Sequence, residues 1–302
     1  MVATRFEGII PPVSTIFTDK GAFDPKGQAL VIEKLIAAGV DGLFMCGTGG
    51  EFSQMTTAER KTVAEFAVKQ AAGRTKVLIG VGSNNPREAI DLTIHAEAIG
   101  ADGVVAVNPS YWKVTEPRLL KYFTDIAGAT KLPVLVYNIP FLTGQDLTPA
   151  FVKSVVEAAP NVVGIKETVD SIGHIREMIN VVGAVRPGFQ VFAGYDDHLL
   201  TTMMLGGAGV ISASGNFAPE LSIGIYKAFR SGDFAKAVEL HSRLIRLPSM
   251  YGLDTPFVNV VKEAMRLTGL DISTYCLPPA GPLAADKLAR LADLLKQAGL
   301  TK

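Results

Sequence analysis

The chain has 302 residues, 48% of them hydrophobic, enough to bury a sizeable core. Lys plus Arg and Asp plus Glu balance at 29 each with no long run of either sign, which excludes a nucleic-acid surface built on concentrated positive charge. Cys46 and Cys276 lie far apart without CxxC spacing, arguing against a disulfide framework and for a reducing compartment.

Residues 1–8 lack a basic stretch followed by an apolar one, and no apolar run approaches the roughly 18 residues of a membrane span. The expected location is therefore cytoplasmic, with no membrane partner.

Short apolar runs alternate along the chain with amphipathic stretches. Strands are predicted over 8–17, 42–46, 77–81, 103–107, 133–137, 162–166, 190–193 and 209–213. Most are apolar at consecutive positions, as strands buried on both faces should be. Helices are predicted between them, among others over 56–72, 86–99, 115–127 and 149–159. Thr56 or Thr57 opens the first of these, with Glu59 placed for a capping box, and Gly73 closes it. Ala38-Gly39-Val40-Asp41-Gly42 and Ile99-Gly100-Ala101-Asp102-Gly103 end helices and return the chain to a strand, as does Leu205-Gly206-Gly207-Ala208-Gly209. After Phe217 only helices are predicted, over 221–230, 234–247, 257–268 and 284–298.

Eight strands suit a closed (β/α)8 barrel better than an open sheet. The expected organisation is a catalytic barrel over 1–230 and a C-terminal helical region over 231–302 packed on it.

Catalytic groups of such a barrel come from the C-terminal ends of its strands. Lys166 ends the apolar run Val162-Val163-Gly164-Ile165. A lysine in low dielectric loses preference for its charged form, and a neutral amine attacks ketones to form imines. The ordinary alternative is a strand-end lysine paired with Glu167 or reaching to solvent. Tyr137 ends the preceding strand, about 4.8 Å away, and can shuttle the protons that imine chemistry needs; otherwise it is a hydrogen-bonded core tyrosine. Gly47-Thr48-Gly49-Gly50-Glu51 follows the second strand and offers exposed amides to a carboxylate, or else is only a tight turn.

Other motifs are missing. His95, His174, His198 and His241 form no HExxH or ligand-like pair, so no metal site is expected, and His95 and His174 read as ordinary surface or packing residues. No GxSxG elbow, GxxxxGK[ST] loop or dinucleotide fingerprint occurs. Cys46 reads as core.

Four motifs in order, Gly47-Thr48-Gly49-Gly50-Glu51, Tyr137-Asn138-Ile139-Pro140, Gly164-Ile165-Lys166-Glu167-Thr168 and Gly194-Tyr195-Asp196, make the chain resemble the pyruvate-dependent class I lyases. That family includes N-acetylneuraminate lyase, dihydrodipicolinate synthase and 2-keto-3-deoxygluconate aldolase. The resemblance runs from Phe6 into the C-terminal helices. It implies that Lys166 forms the Schiff base and that Tyr137 relays protons. Thr48 would hydrogen-bond that tyrosine, and the Thr48 and Gly49 amides would hold the substrate carboxylate. It further implies that Tyr111 reaches a neighbouring subunit's site and that the protein is a homotetramer built from dimers. Pro12, Thr168, Gly194, Asp196 and Ile211 are implied to line the substrate pocket. No cofactor is implied beyond the covalent imine, whose positive charge does what a metal ion does in other aldolases.

Departures select a branch. Dihydrodipicolinate synthases carry an arginine where this chain has Leu142, and a second threonine where it has Gly49. Leucine cannot replace a bidentate guanidinium, so lysine biosynthesis is disfavoured. Thr168 and Asp196 suit hydroxyls, and Asn108-Pro109-Ser110-Tyr111-Trp112-Lys113 is similar to bacterial 2-keto-3-deoxy sugar-acid aldolases. The expected reaction is reversible cleavage of such an acid to pyruvate and a short hydroxyaldehyde. Alternatives are N-acetylneuraminate lyase, a related keto-acid dehydratase and an inactive sugar-acid-binding module.

Overall fold

A computed structural model describes residues 5–301. The first four residues of the N-terminal stretch read above for a leader lie outside the described residues. In chain order the first units are β1 (Gly8–Ile9), α1 (Pro25–Ala38), β2 (Gly42–Met45) and α2 (Thr57–Ala71). Next come β3 (Lys76–Gly80), α3 (Pro86–Ala98), β4 (Gly103–Val107) and α4 (Glu116–Gly128). Then follow β5 (Val134–Asn138), the short α5 (Pro140–Thr143), α6 (Pro149–Ala158), β6 (Val162–Glu167) and α7 (Ile172–Val185). The barrel continues through β7 (Gln190–Ala193), α8 (Leu199–Met204), β8 (Gly209–Val210) and α9 (Pro219–Arg230). After it lie α10 (Phe234–Leu244), α11 (Val258–Leu267) and α12 (Ala285–Gln297).

The strands form one parallel sheet in the order β1-β8-β7-β6-β5-β4-β3-β2. Its two ends meet: Phe44 donates its amide to the Pro11 carbonyl at 2.9 Å and accepts from the Val13 amide at 2.9 Å, so the sheet is a (β/α)8 barrel. β1 is much shorter than the 8–17 run predicted. Pro11 and Pro12 cannot donate to a ladder, and at that point the chain leaves β8 and continues beside β2 through a single bridge, Pro12 to Phe44.

Local chemistry sets the helix starts. Thr56 and Glu59 complete the expected capping box of α2, and Asp24, Asn85, Thr148 and Ser171 cap α1, α3, α6 and α7. At the end of α2 both Ala72, the capping residue, and Gly73 adopt the left-handed backbone, with φ of 48° and 73°. Asp41 and Asp102, in the returning turns, accept the amides of Ile9 and Val77, so each helix exit is also tied to a strand start.

Apolar residues separate into two cores. The larger lies between strands and helices. The smaller fills the barrel with Phe6, Ile10, Phe44, Leu78, Val105, Leu135, Tyr137, Val163, Phe192 and Ile211. On β6 the inward residues Val163 and Lys166 are three apart, a spacing a regular strand cannot give. A bulge supplies it: Val134 pairs with Val162 but Leu135 with Gly164. The shift sets Tyr137 opposite Lys166 and Asn138 opposite Glu167. Among the described residues no helix is long and apolar enough to cross a membrane.

The bulge depends on Gly164. A Cβ there would meet the Gln190 carbonyl oxygen at 2.4 Å and a Leu135 methyl at 2.8 Å. Gly164→Ala should therefore lower stability by about 1–3 kcal/mol through overpacking. A urea unfolding midpoint equal to that of the wild type would contradict the close strand approach.

Candidate active site

Lys166 and Tyr137 project into the barrel from the ends of β6 and β5 and are 4% and 3% exposed. The Lys166 Nζ lies 4.2 Å from the centre of the Tyr137 ring and 5.3 Å from that of Phe44. Among the described residues it has no carboxylate partner. Glu167, the partner that strand position alone would suggest, points to the opposite face because successive side chains alternate. Tyr137 and Thr48 share a hydroxyl–hydroxyl hydrogen bond of 3.3 Å.

Thr48 begins a single helical turn, Thr48–Gly50, at the C-terminal end of β2. The Gly50 and Glu51 amides close it onto the Gly47 and Thr48 carbonyls at 3.0 Å each. The Thr48 and Gly49 amides, first in the turn, have no such acceptor. Pro12 lies against this turn, where a Cβ on Gly49 would come within 3.2 Å of the Pro12 carbonyl oxygen.

Across the barrel mouth, Thr168 follows β6 and Gly194 follows β7. A Cβ at Gly194 would fall 2.0 Å from the Thr168 hydroxyl, so glycine there makes room for it. That hydroxyl is buried without a hydrogen-bond partner among the described residues. Ile211 belongs to the same inner cluster as Tyr137.

Two of the implied residues stand apart. Tyr111 is 91% exposed on the loop after β4, in the left-handed region with φ of 75°, beside Trp112. Within one chain it does not reach Tyr137. Asp196 is buried, and both of its oxygens are engaged, one by the Tyr251 hydroxyl at 2.6 Å and one by the Ser214 amide at 3.2 Å. A sugar hydroxyl would have to add to these bonds. A cleft of about 380 Å³ opens beside the site; Thr48, Asn108 and Leu142 line it, but Lys166 and Tyr137 do not.

His174 is more than the ordinary surface or packing residue that its helical position suggested. Its Nε2 lies 3.3 Å from Asp146 and its Nδ1 3.1 Å from the fully buried Glu167. Asn138 joins both acids, donating to Asp146 at 2.8 Å and to Glu167 at 3.3 Å. The hydrogen bond to Asp146, then that to Glu167, push His174 up to about 10. Burial raises the Glu167 carboxyl, while the His174 bond holds Asp146 below the usual carboxylate range. Alternation along β6 was the one signal for this cluster: a residue after an inward lysine must face the helices. Tyr251 and Lys262, which reach the barrel mouth from the C-terminal region, left no signal in the sequence. Cys46 is buried, and burial pushes its thiol up to about 11, in keeping with a core residue.

His174 favours the folded state by holding its proton. Its contribution should be full below about pH 6.5, the unfolded value, and lost as pH rises toward about 10. The gap in melting temperature between wild type and His174→Gln should narrow over that interval; a gap constant with pH would remove the ion cluster from the account. Tyr251→Phe should lower stability by about 1–3 kcal/mol, because the Asp196 carboxylate loses a buried donor. The midpoint of urea unfolding measures this, and an unchanged midpoint would mean the bond contributes nothing.

Residues 5–298 match the Dihydrodipicolinate synthetase family. YagE of Escherichia coli K12, provisionally named a 2-dehydro-3-deoxy-D-gluconate aldolase, is 55% identical over 292 residues, 97% of each chain. YjhH of the same organism, provisionally named a 2-dehydro-3-deoxy-D-pentonate aldolase, is 56% identical over 94% of this chain and 95% of its own. The crystal structure of YagE in complex with pyruvate superposes with a TM-score of 0.97 at 54% identity, covering 98% of this chain and all 100% of that one. Dihydrodipicolinate synthase from Aquifex aeolicus gives 0.92 at 33% identity, covering 98% and 99%. With the barrel, the buried lysine–tyrosine pair and these relatives together, the chain belongs to the Dihydrodipicolinate synthetase family.

Proposed function

We propose that this carbon–carbon lyase is a class I aldolase that cleaves a 2-keto-3-deoxy sugar acid to pyruvate and a short hydroxyaldehyde through a Schiff base on Lys166. The observation that carries the reading is a buried amine, 4.2 Å from the Tyr137 ring centre, with no carboxylate beside it among the described residues. An amine held at the end of β6 against the Tyr137 and Phe44 rings is in place to add to a ketone brought into the barrel mouth. The names given to YagE and YjhH, and the pyruvate in the YagE crystal, point to the same substrate class.

The chemistry follows from the arrangement. The substrate carboxylate takes the Thr48 and Gly49 amides, which places its C2 ketone toward Lys166. The amine adds to C2, and the carbinolamine loses water to give an iminium. Tyr137, hydrogen-bonded to Thr48, removes the C4 hydroxyl proton. The C3–C4 electron pair then moves into the iminium, and the aldehyde leaves. Protonation at C3 and hydrolysis release pyruvate and restore the amine. Thr168, its hydroxyl unpaired among the described residues, faces the polyol end with Gly194 and Ile211 around it; Pro12 closes the side of the carboxylate turn. Asp196 borders the same end, held by Tyr251. No metal ion takes part, since the iminium itself accepts the electrons. The reading extends to a cytoplasmic homotetramer of paired dimers, in which Tyr111 enters the site of a second copy.

Sodium borohydride added with pyruvate should fix a pyruvate-derived adduct on Lys166, read by peptide mass. Lys166→Ala should lose the adduct and at least about a thousandfold in kcat. Adduct on another residue, or turnover retained in the variant, would end this mechanism. Five- and six-carbon 2-keto-3-deoxy acids should release pyruvate. N-acetylneuraminate should not, and aspartate semialdehyde with pyruvate should not condense. A product that keeps the full carbon chain would instead identify a dehydratase.

A further inference from the structure

The Thr48–Gly50 turn is held from outside the barrel. Glu51, the next residue, has φ of 61°, a left-handed backbone that side chains other than glycine rarely adopt. Its carboxylate is 2% exposed and lies 2.5 Å from the Nζ of Lys262 on α11, which is fully buried. The second Glu51 oxygen accepts the Leu277 amide at 2.7 Å. Lys262 donates to the Tyr275 carbonyl at 2.7 Å and lies 4.8 Å from the centre of the Phe17 ring. Every strong contact of the Glu51 side chain therefore comes from the C-terminal region, more than 200 positions later in the sequence.

Stability alone is a weak reason to keep such a pair. Removing two charges from water costs about as much as their attraction returns, and apolar side chains of similar volume often do as well. What the pair supplies that a leucine could not is direction. The carboxylate is fixed at two points, Lys262 and Leu277, so the backbone that carries it is fixed too. Through the Glu51 amide, which donates to the Thr48 carbonyl at 3.0 Å, that constraint passes to the turn.

We infer that Lys262 is a positioning residue for the keto-acid carboxylate, acting through Glu51 on the Thr48 and Gly49 amides. The C-terminal region is then part of the substrate-binding device. The inference rests on the aldolase reading above, because that reading assigns the carboxylate to this turn.

The test uses the full chain with Glu51→Gln, Lys262→Met and both together. Glu51→Gln keeps an acceptor for Leu277 and a neutral partner for the ammonium, so it is the variant best able to fold. The double variant leaves no orphaned charge. For each, melting temperature, KM and kcat for the sugar acid, and the pyruvate concentration for half-maximal borohydride inactivation are measured. Expected is a rise of about tenfold in KM and in half-saturating pyruvate, with kcat changed less than about threefold, in variants that melt near the wild type. A variant of wild-type melting temperature and wild-type KM overturns the inference, as does a loss confined to melting temperature. If a Lys262 variant does not fold, Glu51→Gln decides. Should the wild type itself take no pyruvate adduct on Lys166, the aldolase reading fails and this inference with it. An adduct in the wild type with unmoved KM in the variants removes only the inference.

Discussion

An amine buried in an apolar tube, with no carboxylate beside it among the described residues, is the constraint around which the rest of the barrel is arranged. Lys166 lies against the faces of Tyr137 and Phe44, whose π-systems attract a cation weakly but cannot replace a countercharge. Keeping it there requires that the nearest acid be turned away. β6 does this by alternation, sending Glu167 outward, and the bulge at Val163 and Gly164 decides which parity the lysine takes. Had the strand run regularly from Val163, Lys166 would face the helices and Glu167 the barrel.

Turning Glu167 outward creates a second problem, a carboxylate with no access to water. His174, Asn138 and Asp146 answer it with a cluster packed behind β5 and β6. Asn138 and Glu167 are cross-strand neighbours one residue beyond Tyr137 and Lys166. The outer cluster and the inner pair are thus two sides of one register. Neither can shift without the other, so the register holds both sides in place.

At the mouth of the barrel the same economy recurs in a different form. The turn after β2 and the turn after β7 each carry a buried acid, Glu51 and Asp196. Each acid is met by a side chain from beyond the eighth strand, Lys262 and Tyr251. Lys262 is fully buried and Tyr251 partly so, and the C-terminal region does more than cover the barrel; it completes the hydrogen bonding of two loops at the barrel mouth. Burial leaves the Tyr251 hydroxyl far from ionising, so it acts as a donor throughout the working range.

Patterns local in the chain carried much of this molecule without coordinates. Eight apolar runs, capped helices and glycine-marked turns defined the barrel, because strand and helix periodicity are properties of neighbouring residues. The placement of Lys166, Tyr137 and Thr48 side by side was legible because strand ends are legible and a barrel gathers them at one face. The extent of β1 was misjudged, since an apolar run containing Pro11 and Pro12 does not say when the chain changes neighbours. His174 looked ordinary because its partners, Asp146 and Glu167, reach it only through the packing of α7 on the barrel. Tertiary structure alone decided the bulge that faces Lys166 inward, the salt-bridged cluster behind it, and the buried Lys262–Glu51 and Tyr251–Asp196 contacts. All of these depend on groups brought together from distant parts of the chain, and the energy of a buried charge is set by what surrounds it, which no local pattern records.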